Sequence, residues 1–155
     1  MQEWYQSRAL YETITSLLKK GQFEMALKMS REIPDDGIKV TSYSKIVIEM
    51  ARIGINYEEA LKEAINATMA LDEEAREKAL MSLAFELMNL GKFEDALMVG
   101  NIIPDVSGQS KVKAEVALKL AENGDLSRAL ELINDILDED VKTWAMAMLS
   151  NKMKG

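Results

Sequence analysis

Apolar residues return at three- and four-residue intervals along most of the chain, as Leu80, Leu83, Leu87 and Leu90 do. That spacing sets them on one face of a 3.6-residue helix. Four such stripes end at a glycine: "ETITSLLKKG", "KIVIEMARIG", "SLAFELMNLG" and "AEVALKLAENG". A glycine there supplies the left-handed cap that a tight turn needs. A second pattern follows each one, read in "GQFEMAL", "GINYEEAL", "GKFEDAL" and "GDLSRAL". Phe23, Tyr57, Phe93 and Leu126 then stand 34, 36 and 33 residues apart, and Ala26, Ala60, Ala96 and Ala129 keep the same intervals. A period near 34 predicts a repeated helix-turn-helix unit, with helix A before the glycine and helix B after it. The alanines let A and B approach closely, and the large residue three positions earlier fills the space between them.

Helix B is expected to stop at Ile33-Pro34-Asp35 and Ile103-Pro104-Asp105, because the residue before a proline is pushed out of the α region. Leu71-Asp72 and Leu137-Asp138 hold the same place in the other units. Each of these aspartates can cap the next A helix, and Lys39, Arg76, Gln109 and Lys142 follow four residues later, predicting an Asp-to-base pair in three of four units. The chain thus reads A, B four times and ends on an A-like helix, "DVKTWAMAMLSNKMKG", nine helices in all. No unit can bury its apolar stripe alone. The expected fold is therefore all-α, one domain over residues 1–155, with hairpins stacked into a right-handed α-solenoid.

Composition agrees with long helices, since only 2 Pro and 8 Gly interrupt 155 residues. Cysteine and histidine are absent, which removes disulfides, thiol nucleophiles, imidazole bases and the usual zinc ligands. The clusters Asp35-Asp36, Asp72-Glu73-Glu74 and Asp138-Glu139-Asp140 all fall at expected helix starts, where carboxylates meet free N–H groups, so they are read as caps. No catalytic residue, metal site or cofactor is expected. The formal charge of −7 disfavours a nucleic-acid phosphate backbone. The N-terminal "MQEWYQSRAL" has neither the basic start nor the apolar run of a signal peptide, and no window is long enough to span a membrane, so a cytoplasmic protein is expected. Eleven methionines, among them Met25, Met29, Met50, Met69 and Met153, recur in the stripes and are expected mainly to fill core.

At "GKFEDAL" and "YEEALKEAINATMALD" the chain resembles a tetratricopeptide repeat array, over about residues 8–140. The resemblance lies in the small A-helix residue (Ala84, Ala117), the turn glycine, the aromatic or apolar residue after it, the B-helix alanine and the closing Pro or Asp. Helix B is a turn shorter than the family's in units one and three, where eight residues separate Ala26 from Pro34 and Ala96 from Pro104, against twelve from Ala60 to Asp72. The family's helix A tryptophan is replaced by Leu10, Tyr43, Leu80 and Lys113.

The resemblance implies a non-catalytic module that binds a peptide or partner protein in a concave groove lined by the A helices. Counting back from each glycine, that groove would hold Arg8, Tyr11, Ser44, Ile48, Arg52, Lys78, Met81, Phe85, Met88, Asn89, Lys111 and Leu118. Such a surface, basic at its margins and apolar around Phe85, suits an acidic amphipathic peptide anchored by Met81, Phe85 and Met88. The rival is an RNA-binding array similar to pentatricopeptide proteins, which needs base-reading side chains at equivalent positions, where this chain has Thr41, Lys78 and Lys111. The last helix is apolar on every side from Trp144 to Leu149. Either it folds deeper than the repeat predicts, or Trp144 and Met148 meet a second copy in a homodimer.

Overall fold

Gly21, Gly54, Gly91 and Gly124, the residues expected to close the A helices, have φ of 73°, 82°, 78° and 90°. No other described residue has a positive φ. The computed structural model describes residues 2–154, in which nine α-helices and no strand occur. They are α1 Gln2–Lys19, α2 Phe23–Arg31, α3 Asp36–Ile53, α4 Glu58–Ala67, α5 Glu73–Asn89, α6 Phe93–Asn101, α7 Val106–Glu122, α8 Leu126–Asn134 and α9 Glu139–Lys154, with one 3-10 turn, Thr68–Ala70, after α4. Long helices thus alternate with short ones. The twelve-residue spacing from Ala60 to Asp72 is taken up by that 3-10 turn and not by a longer B helix.

The expected caps form. The carboxylates of Asp35, Asp72, Asp105 and Asp138 accept from the N–H groups of Ile38, Ala75, Gly108 and Val141 at 2.8, 2.8, 3.0 and 3.2 Å. An N-cap of this kind stabilises a helix by about 1 kcal/mol. The ion pairs four residues on do not form among the described residues. Gln109 Nε2 donates instead to the Ile103 carbonyl at 2.7 Å, Lys142 Nζ to the Asn134 carbonyl at 3.4 Å, and the Arg76 Nε is buried without a partner. The aspartate oxygens face the helix-end N–H groups, and Gln109 and Lys142 reach back to carbonyls that precede the cap.

Packing groups the chain into two compact units, Met1–Ala79 and Leu80–Gly155, divided within α5. In the first, α1 and α2 pack on α3, and α3 on α4. Its core holds Ile14, Leu18, Ala26, Leu27, Val40, Ile46, Val47, Ala60 and Leu61. A buried polar pair crosses it: Ser30 Oγ on α2 lies 2.7 Å from Ser42 Oγ on α3. Ser30 also donates to the Ala26 carbonyl, which makes Ser42 the donor of the pair.

In the second unit α7 is central, packed on α6, α8 and α9. Leu80, Leu83, Ala84 and Leu87 are buried, as the stripe predicts, with Ala96, Val99, Ile103, Val112, Ala117, Ala129, Ile133, Ala145 and Leu149. Truncating one of these, Leu87→Ala for instance, costs about 2–5 kcal/mol. All four B-helix alanines are buried, and Phe23, Tyr57, Phe93 and Leu126 before them are half-buried.

The two units share one device. Ser7 Oγ accepts from the Asp35 N–H at 3.0 Å, and Ser110 Oγ accepts from the Asp138 N–H at 3.2 Å. Each serine is buried and reaches the capping residue 28 positions later, so the start of one long helix is fastened to the side of another. A buried backbone donor left unpaired would cost more than the bond contributes.

Candidate functional site

In the first unit the cations expected in the groove are already engaged with neighbours on their own helices. The Arg8 guanidinium lies 5.2 Å from the centre of the Tyr11 ring and its Nη2 is 3.0 Å from Glu12 Oε1. Arg52 pairs with Glu49, and Lys78 with Glu74 at 3.4 Å. Ser44 is half-buried. Pairs like these contribute little to stability, but they neutralise the cations locally.

In the second unit Met81 and Phe85 are half-buried and Asn89 is exposed, whereas Met88 is 6% exposed. Met88 follows Ala84 by four residues and therefore falls on the buried stripe of α5. The anchor expected from Met81, Phe85 and Met88 is reduced to its first two members. Ile48 and Leu118 are also buried and line nothing accessible. The methionines depart from the expected core role. Met50 and Met88 are buried, but Met25, Met69, Met98, Met146 and Met153 are exposed; Met25, Met98 and Met146 each stand one position off a buried residue of their helix.

Two residues assigned by sequence to different surfaces meet. Lys111 and Glu115 of α7, with Asp140, Val141 and Trp144 of α9, line an open cleft of about 350 Å³. Helical spacing explains the walls: Lys111 and Glu115 are one turn apart on α7, as are Asp140 and Trp144 on α9. Trp144 is 43% exposed, while Ala145 and Leu149 beside it are buried against the unit. The last helix therefore has a seated face and an open one. It does not sink entirely into the core.

The cleft is held at both ends. Ser110 Oγ receives the Asp138 N–H at the start of α9, and near its end Lys152 Nζ pairs with Glu122 of α7. Lys152 holds the Glu122 carboxyl below its ordinary range. Among the described residues neither Lys111, Glu115 nor Asp140 has a side-chain ion pair, so the charges of the cleft face solvent. Two further depressions of about 400 Å³ each run along α6 and α8 and share Glu94 and Arg128, whose ion pair of 3.2 Å crosses them.

One further constellation joins residues that no motif in the chain relates. Arg31 Nε and Nη2 donate to Glu63 Oε1 and Oε2 at 2.7 and 2.8 Å, joining α2 to α4, with the buried Tyr43 of α3 beside them. The Arg31 bond holds the Glu63 carboxyl below its ordinary range, and the same bond raises the Arg31 guanidinium. Burial pushes the Tyr43 hydroxyl upward. The partners lie 32 residues apart in sequence, so no local spacing announces them. They form a structural clamp between α2 and α4.

Nothing among the described residues groups three acidic side chains closely enough to hold a metal ion, and no helix is long and apolar enough to cross a membrane. Compared with family models, with curated proteins and with solved structures, the chain matches none.

Proposed function

We propose that the chain is a non-catalytic interaction module, built of tetratricopeptide-like hairpins stacked as a right-handed solenoid, which docks a peptide or partner protein. The recurrence of a long helix, a glycine turn and a short helix four times along the chain supports the repeat reading. The observation that carries the docking role is the α7–α9 cleft. There an indole 43% exposed forms one wall of a recess whose helices are tied at both ends. Tryptophan on a rigid support is the side chain most often found at the energetic centre of protein interfaces. Phe85 and Met81 offer a second apolar area on α5.

A peptide-library selection against the immobilised chain tests this reading. Enriched peptides should lose binding to Trp144→Ala or Phe85→Ala while the helical circular dichroism of both variants is unchanged. A library that yields no enriched peptide, or peptides indifferent to both substitutions, would sink the proposal.

A further inference from the structure

The α7–α9 cleft is unbalanced in charge. Two carboxylates, Glu115 and Asp140, face one ammonium, Lys111, around the exposed Trp144 indole. We propose that this cleft recognises an arginine side chain presented by a basic peptide segment, an inference that rests on the docking role proposed above.

Three features of the site match that group. A guanidinium is planar and weakly hydrated, so it stacks on an indole face while its edge remains free to donate. Asp140 stands one helical turn before Trp144 on the same helix, so its carboxylate and the indole line the same cleft, and a carboxylate is the group that pairs with a guanidinium. Glu115 stands on the opposite wall, one turn after Lys111 on α7. That lysine restricts the cleft to one arriving cation and disfavours a second.

Long-range charge points the same way. A chain of net charge −7 attracts basic partners during diffusional encounter and repels acidic ones. Three of the four cations that suggested an acidic partner are neutralised where they stand, Arg8 by Glu12, Arg52 by Glu49 and Lys78 by Glu74, and the fourth, Lys111, is outnumbered in the cleft by Glu115 and Asp140. The cleft's surplus of carboxylate is not neutralised. A neutral apolar occupant would leave both carboxylates facing it without a partner.

The test uses the full chain and heptapeptides of sequence Gly-Ser-Gly-X-Gly-Ser-Gly, with arginine, citrulline or glutamate at X. The readout is the indole N–H resonance of Trp144 in the 15N-labelled protein, distinguished from that of Trp4 with a Trp4→Phe variant. The arginine peptide should shift the resonance saturably, and citrulline, its uncharged isostere, should bind about tenfold more weakly. Asp140→Asn with Glu115→Gln should lower the affinity for the arginine peptide about fivefold, and Lys111→Ala should raise it about twofold. Equal binding of citrulline, or tighter binding of the glutamate peptide, overturns the arginine inference and leaves the docking role standing. So does silence from all three peptides while a library-selected peptide still depends on Trp144. If no peptide of either experiment depends on Trp144 or Phe85, both readings fall. A shift of the Trp144 resonance with protein concentration alone assigns the cleft to a second copy of the chain and equally overturns the inference.

Discussion

A Cβ added to Gly100 of α6 would lie 2.6 Å from Val112 Cγ1 of α7 and 3.0 Å from Val112 Cβ. The equivalent crossing in the first unit, seven residues after Phe23 and seven after Asp35, is the Ser30–Ser42 pair at 2.7 Å. The crossing therefore accepts two small polar side chains, or one absent and one branched. It has no room for both to grow.

Gly100→Ala should cost about 1–3 kcal/mol, the range for overpacking a tight contact, despite alanine's better helix propensity. Val112→Ala added to it should recover part of the loss, since the Cγ1 contact is then gone while the Cβ contact at 3.0 Å remains. Urea denaturation of the two single variants and the double would measure that coupling. Additive losses would show that Gly100 is not limited by Val112.

Gly124 separates backbone strain from sterics. Its φ is 90°, yet nothing lies within 4 Å of an added Cβ. Gly124→Ala should cost about 1 kcal/mol through the left-handed conformation alone, and Gly124→Asn should cost less because asparagine tolerates that region. Thermal denaturation of the two variants ranks them, and equal losses would contradict a purely conformational origin.

The Arg31–Glu63–Tyr43 clamp makes stability depend on pH in two directions. Glu63 titrates lower in the folded chain than in the unfolded one, so its contribution is complete above the unfolded carboxylate value and disappears as pH falls through the folded one. Arg31 is 47% exposed and Glu63 24%, so solvent limits that contribution to about 0.5–1 kcal/mol. Glu63→Gln should lose this amount at neutral pH and show a shallower decline between about pH 5 and 3. Tyr43 works at the alkaline limb. Its hydroxyl titrates higher when folded, so its contribution is present below the unfolded tyrosine value and lost as pH rises through the folded one. Tyr43→Phe should flatten stability above about pH 10. Denaturant midpoints across the pH range would read both effects. An unchanged acid limb in Glu63→Gln would remove the clamp's role.

Features that depend on residues within one helical turn were legible in the chain. Glycine turns, aspartate caps and the stripe of Leu80, Leu83 and Leu87 follow from spacing alone. The Asp-to-base pairs were not, because once a carboxylate accepts from the helix-end N–H groups, Gln109 and Lys142 meet the Ile103 and Asn134 carbonyls instead. Met88 was misplaced for a related reason. Spacing sets Met81, Phe85 and Met88 on one side of α5, but where the buried sector ends depends on what packs there.

The candidate site shows the same division. Lys111 and Trp144 are 33 positions apart in the sequence, and they were assigned to different surfaces because helical periodicity orders residues around an axis and says nothing of which axes adjoin. That α7 lies against α9, with Ser110 on the Asp138 N–H and Glu122 on Lys152, makes two unrelated helix faces into one cleft. By itself, the sequence determined an all-helical chain with its turns, caps and apolar stripes, since these arise from backbone geometry and short-range contacts. Only the tertiary structure decided which charges and which indole share a recess, since that proximity comes from packing between segments distant along the chain.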